Sequence, residues 1–119
     1  MITISEAVLN KKVVGIYHNY KAKILSITLE GGLLVEFSDC VIVFDLGIVG
    51  FVITYISDTG TLGMTLELKK INENPDDYNY IIMSRDIKDF QNKNEIVISY
   101  KEVSIKNPAK FSSYTEHLR

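Results

Sequence analysis

The sequence predicts a mainly β fold, a β-rich α+β protein built as an antiparallel sandwich or partly open barrel with a short N-terminal helix. Three observations carry this. Short runs of Val, Ile, Leu, Phe and Tyr recur along the chain, and most of these residue types favour strands. Turn-forming clusters separate the runs: "EGG" at 30–32, "SD" at 38–39, "DLGIVG" at 45–50 and "SDTGT" at 57–61. Within several runs apolar and polar residues alternate, the period of a strand with one face buried.

The elements follow in order. "TISE", Thr3 to Glu6, has the capping-box pattern and predicts a short helix to about Asn10, with Ile4, Ala7 and Val8 as its buried stripe. "KKVVGIYHN" predicts a first strand ending near His18. "KAKILSITLE" alternates, with Leu25, Ile27 and Leu29 on one face. After the "EGG" turn, "LLVEF" points Leu33, Val35 and Phe37 inward and Glu36 outward. Two buried strands are expected at Cys40–Phe44 and Phe51–Ile56. Asp45 sits between them; it ends a strand and shapes the turn before Gly47.

"LGMTLELKK", 62–70, shows the cleanest alternation in the chain and predicts a strand with Leu62, Met64, Leu66 and Leu68 on one face. "INENPDDYN" predicts a loop around Pro75 and "YIIMS" a short strand. "SRDIKDFQNKN" predicts one helical turn capped by Ser84, or a loop. "EIVISYKEVSI" predicts a last long strand. The expected core is Leu25, Ile27, Val35, Phe37, Val41, Val43, Phe51, Ile53, Met64, Leu66, Ile96 and Ile98.

At 119 residues the chain is the size of one domain, and residues 1–119 are expected to form a single β-rich domain with a frayed tail from about residue 112. The hydrophobic content of 46% and charged content of 24% argue against disorder. The apolar stretch from Cys40 to Ile56 does not suit a membrane helix. Such a helix needs about 20 apolar residues; extending this one backward meets Asp39 and Glu36, and Asp45 stays near its middle. The N-terminus lacks the basic start of a signal peptide. One cysteine, Cys40, permits no internal disulfide. These features together predict a cytoplasmic protein without membrane contact.

Few residues offer chemistry. Cys40 and His18 are a conceivable nucleophile–base pair, but Cys40 opens a strongly apolar strand, where a thiol behaves as a small hydrophobe. Asp39, Asp45 and Asp58 fall at turns, where their side chains bond nearby backbone N–H groups. "NENPDDYNY", Asn72 to Tyr80, lacks the ligand order of a calcium loop. Phosphate-binding glycine motifs are absent, and so is a Cys/His cluster for zinc. No catalytic residue, metal ligand or cofactor is therefore expected, and a non-enzymatic role is favoured over an enzymatic one.

Charge patterning is the most informative functional feature. From Ile24 to Leu68 there is no Lys or Arg, while Glu30, Glu36, Asp39, Asp45, Asp58 and Glu67 fall in that span. A formal net charge of -2 also argues against nucleic-acid binding through phosphate neutralisation. The pattern predicts a protein-binding module with an acidic face that meets a basic protein partner. Glu30, Glu36, Asp58 and Glu67 are the expected partner contacts, and Asp76, Asp77, Tyr78 and Tyr80 form a second patch. In size and acidity the chain resembles immunity-type proteins, small domains that neutralise bacterial toxins, although no specific motif carries the likeness. The alternatives are a small-molecule-binding barrel or small enzyme, and a structural or phage-type oligomer subunit; the oligomeric state is left open.

Overall fold

The computed structural model describes residues 4–58, 62–85 and 94–106. In chain order the elements are α1 (Ile4–Val8), β1 (Val13–Asn19), β2 (Ile24–Leu29), β3 (Leu34–Ser38), β4 (Ile42–Leu46), β5 (Tyr55–Ser57), α2 (Leu62–Lys70), β6 (Asn79–Ser84), β7 (Glu95–Tyr100) and β8 (Glu102–Lys106). They build two four-stranded antiparallel sheets, one in the order β1-β2-β3-β8 and the other in the order β4-β7-β6-β5. The mainly β, antiparallel architecture with a short N-terminal helix is as predicted, and neither sheet closes into a barrel. No helix among the described residues is long and apolar enough to cross a membrane.

The core lies between the sheets. Leu25, Ile27, Val35 and Phe37 from the first sheet meet Ile81, Met83, Ile96 and Ile98 from the second. Ala7 and Val8 of α1 close one end of this core, as their spacing predicts. Thr3, the expected cap of α1, lies outside the described residues. Asn10 then takes a left-handed conformation (φ 65°) and ends the helix.

The second sheet is apolar on both faces. Val43, Ile98 and Ile81 share one register row and point at the core. The neighbouring rows, Ile42–Ser99–Tyr80 and Phe44–Val97–Ile82, point the other way. Helix α2 covers that outer face. Leu68 packs with Ile42 and Tyr78 in a second small core, joined by Val41 and Tyr80. The molecule therefore has three layers, sheet, sheet and helix.

This corrects the expectation for residues 62–70, which form a helix and not a strand. Alternation placed Leu62, Met64, Leu66 and Leu68 on one face. In the helix only Met64 and Leu68, four apart, are buried, while Leu62 and Leu66 are 75% and 50% exposed. Leu, Met, Glu and Lys are good helix formers, and the apolar outer face of the sheet offers a stripe partner. Lys69 and Lys70 fall in the last turn, where cations complement the helix dipole.

Three further boundaries differ. The last apolar stretch is two strands in two sheets, because the chain crosses from β7 to β8 at Lys101. Inward residues are even-numbered in β7 (Ile96, Ile98, Tyr100) and odd-numbered in β8 (Val103, Ile105). That slip of phase is the mark of a corner where one strand leaves a sheet and enters another. Phe37 and Tyr100 meet edge-to-face at 4.9 Å beside the corner. Strand pairing in the 51–56 stretch is limited to Tyr55–Ser57 and a single bridge, Lys12 to Val52. The first strand of the apolar stretch runs Ile42–Leu46, and Val41, Val43 and Phe51 are only partly buried. Ile87 and Phe90, expected in a helical turn, lie outside the described residues, as does the tail from 112.

Replacing Leu68 by Ala should destabilise the protein by about 2–5 kcal/mol, since it opens a cavity beneath α2. Leu66→Ala should stay within about 0.5 kcal/mol, as for other exposed positions. Urea unfolding of both variants checks this, and equal losses would mean that the two leucines share one buried face.

Candidate functional site

One end of the sandwich gathers the β1–β2 turn, Asp39 and Cys40, the Lys101 corner and the 73–78 loop. The loop is built locally. Pro75 opens a 3-10 turn, Pro75–Asp77, where its fixed φ costs nothing. The Asn74 side chain accepts a bond from Asp76 N at 3.1 Å and caps the turn. Two tyrosines tie it down. The Tyr78 hydroxyl donates to Glu73 Oε2 at 2.9 Å, and the Tyr80 hydroxyl donates to the Pro75 carbonyl at 2.8 Å. Lys101 Nζ sits 5.1 Å above the Tyr78 ring.

The tyrosines also report the local field. Burial pushes the Tyr78 phenol up to about 12, helped by its bond to Glu73 and by the charges of Glu73, Asp39 and Asp77. Burial raises Tyr80 too, with a contribution from Asp76. Burial raises Tyr100, assisted by Asp58 and Cys40. Carboxylates from three segments, Asp39, Glu73 and Asp77, thus act on Tyr78, with Asp76 acting on Tyr80 and Asp58 on Tyr100, which packs on the opposite face of the sheet. Glu102 lies beside them, opposite Ser38. Lys23, whose carbonyl accepts from Cys40 N at 2.9 Å, and Lys101 are cations of this end.

Of the residues expected to meet a partner, Asp58, Asp76 and Asp77 are exposed here. Tyr80 is partly buried, and Tyr78 is only 8% exposed. Tyr78 serves as a post inside the loop, and a partner reaches its carboxylate neighbours before its ring. Glu30, Glu36 and Glu67 stand apart. Glu30 follows β2 at the opposite end of the sheet, about 20 Å away by strand rise, where its carboxylate accepts from Lys12 N at 3.2 Å. Glu36 projects from the outer face of the first sheet, 3.6 Å from Lys106 Nζ. Glu67 lies on α2, bonded to Lys70 at 3.0 Å. The lysines outside the base-free span fold back onto its acids, so these three do not form one continuous face. Asp39 and Glu73, absent from the expected contact set, are the carboxylates whose place only the fold shows.

A cleft of about 430 Å³ opens beside this end. Its floor is five consecutive residues, Cys40 to Phe44. His18 and Tyr20 form one wall, their rings 3.9 Å apart and tilted by 40°, with Lys23 at the rim. Glu67, Ile71 and Glu73 form the other. Burial lowers the His18 pKa, so the ring is neutral at pH 7. Cys40 shares the cleft. Burial pushes its thiol up to about 12, with a bond from the Leu25 N–H working against this and Asp39 adding to it. A thiol so protonated supplies no thiolate for nucleophilic attack near neutrality. Asp45 acts as a turn residue: its Oδ1 accepts from Gly47 N at 3.0 Å, where Gly47 has φ +84°.

Among the described residues no group of three or more His, Cys, Asp or Glu side chains could hold a metal ion. The carboxylates of the tyrosine end are spread over a rim, a layout that suits a broad surface more than one ion. No family model, characterised protein or solved structure matches the chain.

Four groups hold their protons more tightly in the folded chain than their ordinary values, 9.0 for Cys40 and 10.0 for Tyr78, Tyr80 and Tyr100, with Cys40 and Tyr78 shifted most. The stability they contribute is complete below those ordinary values. It declines as pH climbs past about 9 and is gone by about 12. Melting temperature should therefore fall over that window, and Tyr78→Phe should flatten its upper part. The same variant should lose about 1 kcal/mol at neutral pH, the worth of one hydrogen bond. An alkaline melting profile unchanged by Tyr78→Phe would contradict this assignment.

Proposed function

We propose that this protein is a non-enzymatic binding module that captures a basic protein partner through its acidic, tyrosine-braced end. The observation that carries the reading is the grouping of Asp39, Glu73 and Asp77 around Tyr78, with Asp76 acting on the neighbouring Tyr80 and the Tyr78 and Tyr80 hydroxyls bonded into the same loop. Local structure holds the loop carboxylates Glu73, Asp76 and Asp77 in place: the Asn74 cap, the Pro75 turn and two tyrosine hydroxyl bonds. A surface ordered before binding avoids the entropy cost of arranging its side chains later. Fixed negative charge steers a basic partner to it and raises the association rate.

The kind of partner follows from the charge. Proteins that act on nucleic acids present rows of Lys and Arg that match phosphates. A rigid rim of carboxylates competes for such a row. Neutralising a toxin of that class, as immunity-type proteins do, is the role that best fits a small module with this surface, and its place of action would be the cytoplasm.

Affinity capture from the source cell at low and high salt tests the reading. The expected result is a basic protein retained at low salt and released at high salt. Reversing Asp76 and Asp77 to Lys together should lower the association rate about tenfold or more at low ionic strength, with melting temperature little changed. Glu36→Lys, far from this end, should have a much smaller effect. Association rates that ignore the Asp76 and Asp77 reversals, or capture that ignores salt, would overturn the proposal.

A further inference from the structure

Strand β4 is an edge strand: β7 pairs with it on one side, and no described strand pairs on the other. Its outer residues are unusually apolar for such a position. Phe44 and Leu46 are 43% and 52% exposed, and Asp45 is the only charge in the strand. Free edges of this kind pair with other chains unless blunted by charge, proline, a bulge or shortness; β4 carries no lysine, proline or bulge, and its five residues hold one charge, Asp45.

The cleft lies along this edge. Successive strand residues point to opposite faces, so a cleft on one face would be lined by every second residue. Three consecutive strand residues, Ile42 to Phe44, line it instead, continued by Cys40 and Val41 just before the strand. The cleft therefore runs against the strand's main-chain rim, between α2 on one side and the first sheet on the other. Its volume of about 430 Å³ falls in the range of small-molecule sites, but a floor of main-chain edge suits an extended chain better, since alternate backbone groups can pair along it.

We propose that β4 accepts an extended segment of the basic partner as a fifth strand of the second sheet. The side chains of that segment would alternate between two walls. On the helix wall they meet Glu73 and Glu67, with Ile71 between; a lysine or arginine with a long apolar stem would compete with Lys70 for the Glu67 carboxylate. On the other wall they meet the neutral His18 ring, Tyr20 and Lys23, which selects apolar residues and excludes a second row of bases. The segment is thus a strand of basic and apolar residues in alternation. This inference rests on the binding-module reading and adds a second, main-chain mode of contact to it.

A fluorescein-labelled peptide, Lys-Val-Lys-Val-Lys-Val with blocked ends, is the probe, and Glu-Val-Glu-Val-Glu-Val is its control. Fluorescence anisotropy should show the lysine peptide binding at least about tenfold tighter, and Glu67→Lys should abolish that preference. N-methylating the peptide at alternate amides should weaken binding about tenfold in one phase and little in the other, because only one edge of an added strand bonds to β4. Hydrogen exchange followed by NMR should show new protection at alternate amides within residues 41–46. Equal effects of the two methylation phases, protection elsewhere, or no binding would overturn strand addition. Protection of these amides in a self-associated protein without peptide would also overturn it, by placing a second copy on the edge. If the peptide fails while a basic protein is still captured in a salt-dependent way, the strand inference falls and the module reading stands.

Discussion

A sheet that is apolar on both faces has to be covered twice, and the rest of this molecule follows from that constraint. The strands β4, β6 and β7 carry near-continuous apolar runs because Val43, Ile81 and Ile98 face the first sheet while Ile42, Ile82 and Val97 face away. The first sheet covers the inner face. The outer face recruits α2, and burial of Leu68 and Met64 there offsets the cost of ordering a helix of only nine residues. Such a helix is too short to stand alone in water; the sheet below it supplies the stability.

Coverage by one short helix is incomplete, and the gap is where interest concentrates. Helix α2 shields Ile42 fully but leaves Phe44 and Leu46 in contact with water. The edge of β4, the C-terminal turn of α2 and the first hairpin turn then enclose the cleft. The same geometry brings the 73–78 loop beside it, since that loop links the end of α2 to the start of β6. One packing requirement thus sets both the acidic rim and the open strand edge.

Electrostatics at the tyrosine end show how the fold redistributes charge. Glu30, Glu36 and Glu67 each sit beside a lysine or its backbone, supplied by segments remote or near in sequence. Exposed pairs of this sort contribute little to stability, but they mute the field of those acids. Asp39, Asp58, Asp76 and Asp77 take part in none of the ion pairs found among the described residues. The negative end is a product of tertiary placement more than of composition.

Sequence alone determined the mainly β class, the short N-terminal helix, the Asp45 turn, the inward set of β2 and β3, and the apolar setting of Cys40. These depend on local rules: period-two alternation, glycine at positive φ, and an aspartate that bonds two residues ahead. The same rules predict one long strand across Lys101; the shift of inward residues from even to odd there belongs to a corner between two sheets. Tertiary structure decided what local rules leave degenerate. Residues 62–70 carry apolar positions two apart and four apart at once, so period could not separate strand from helix; only an apolar sheet face awaiting a cover did. It likewise decided which acids share a field, because Asp39 lies far from Glu73 and Asp77 along the chain and acts with them on Tyr78 only when a strand end and a loop are brought to the same end.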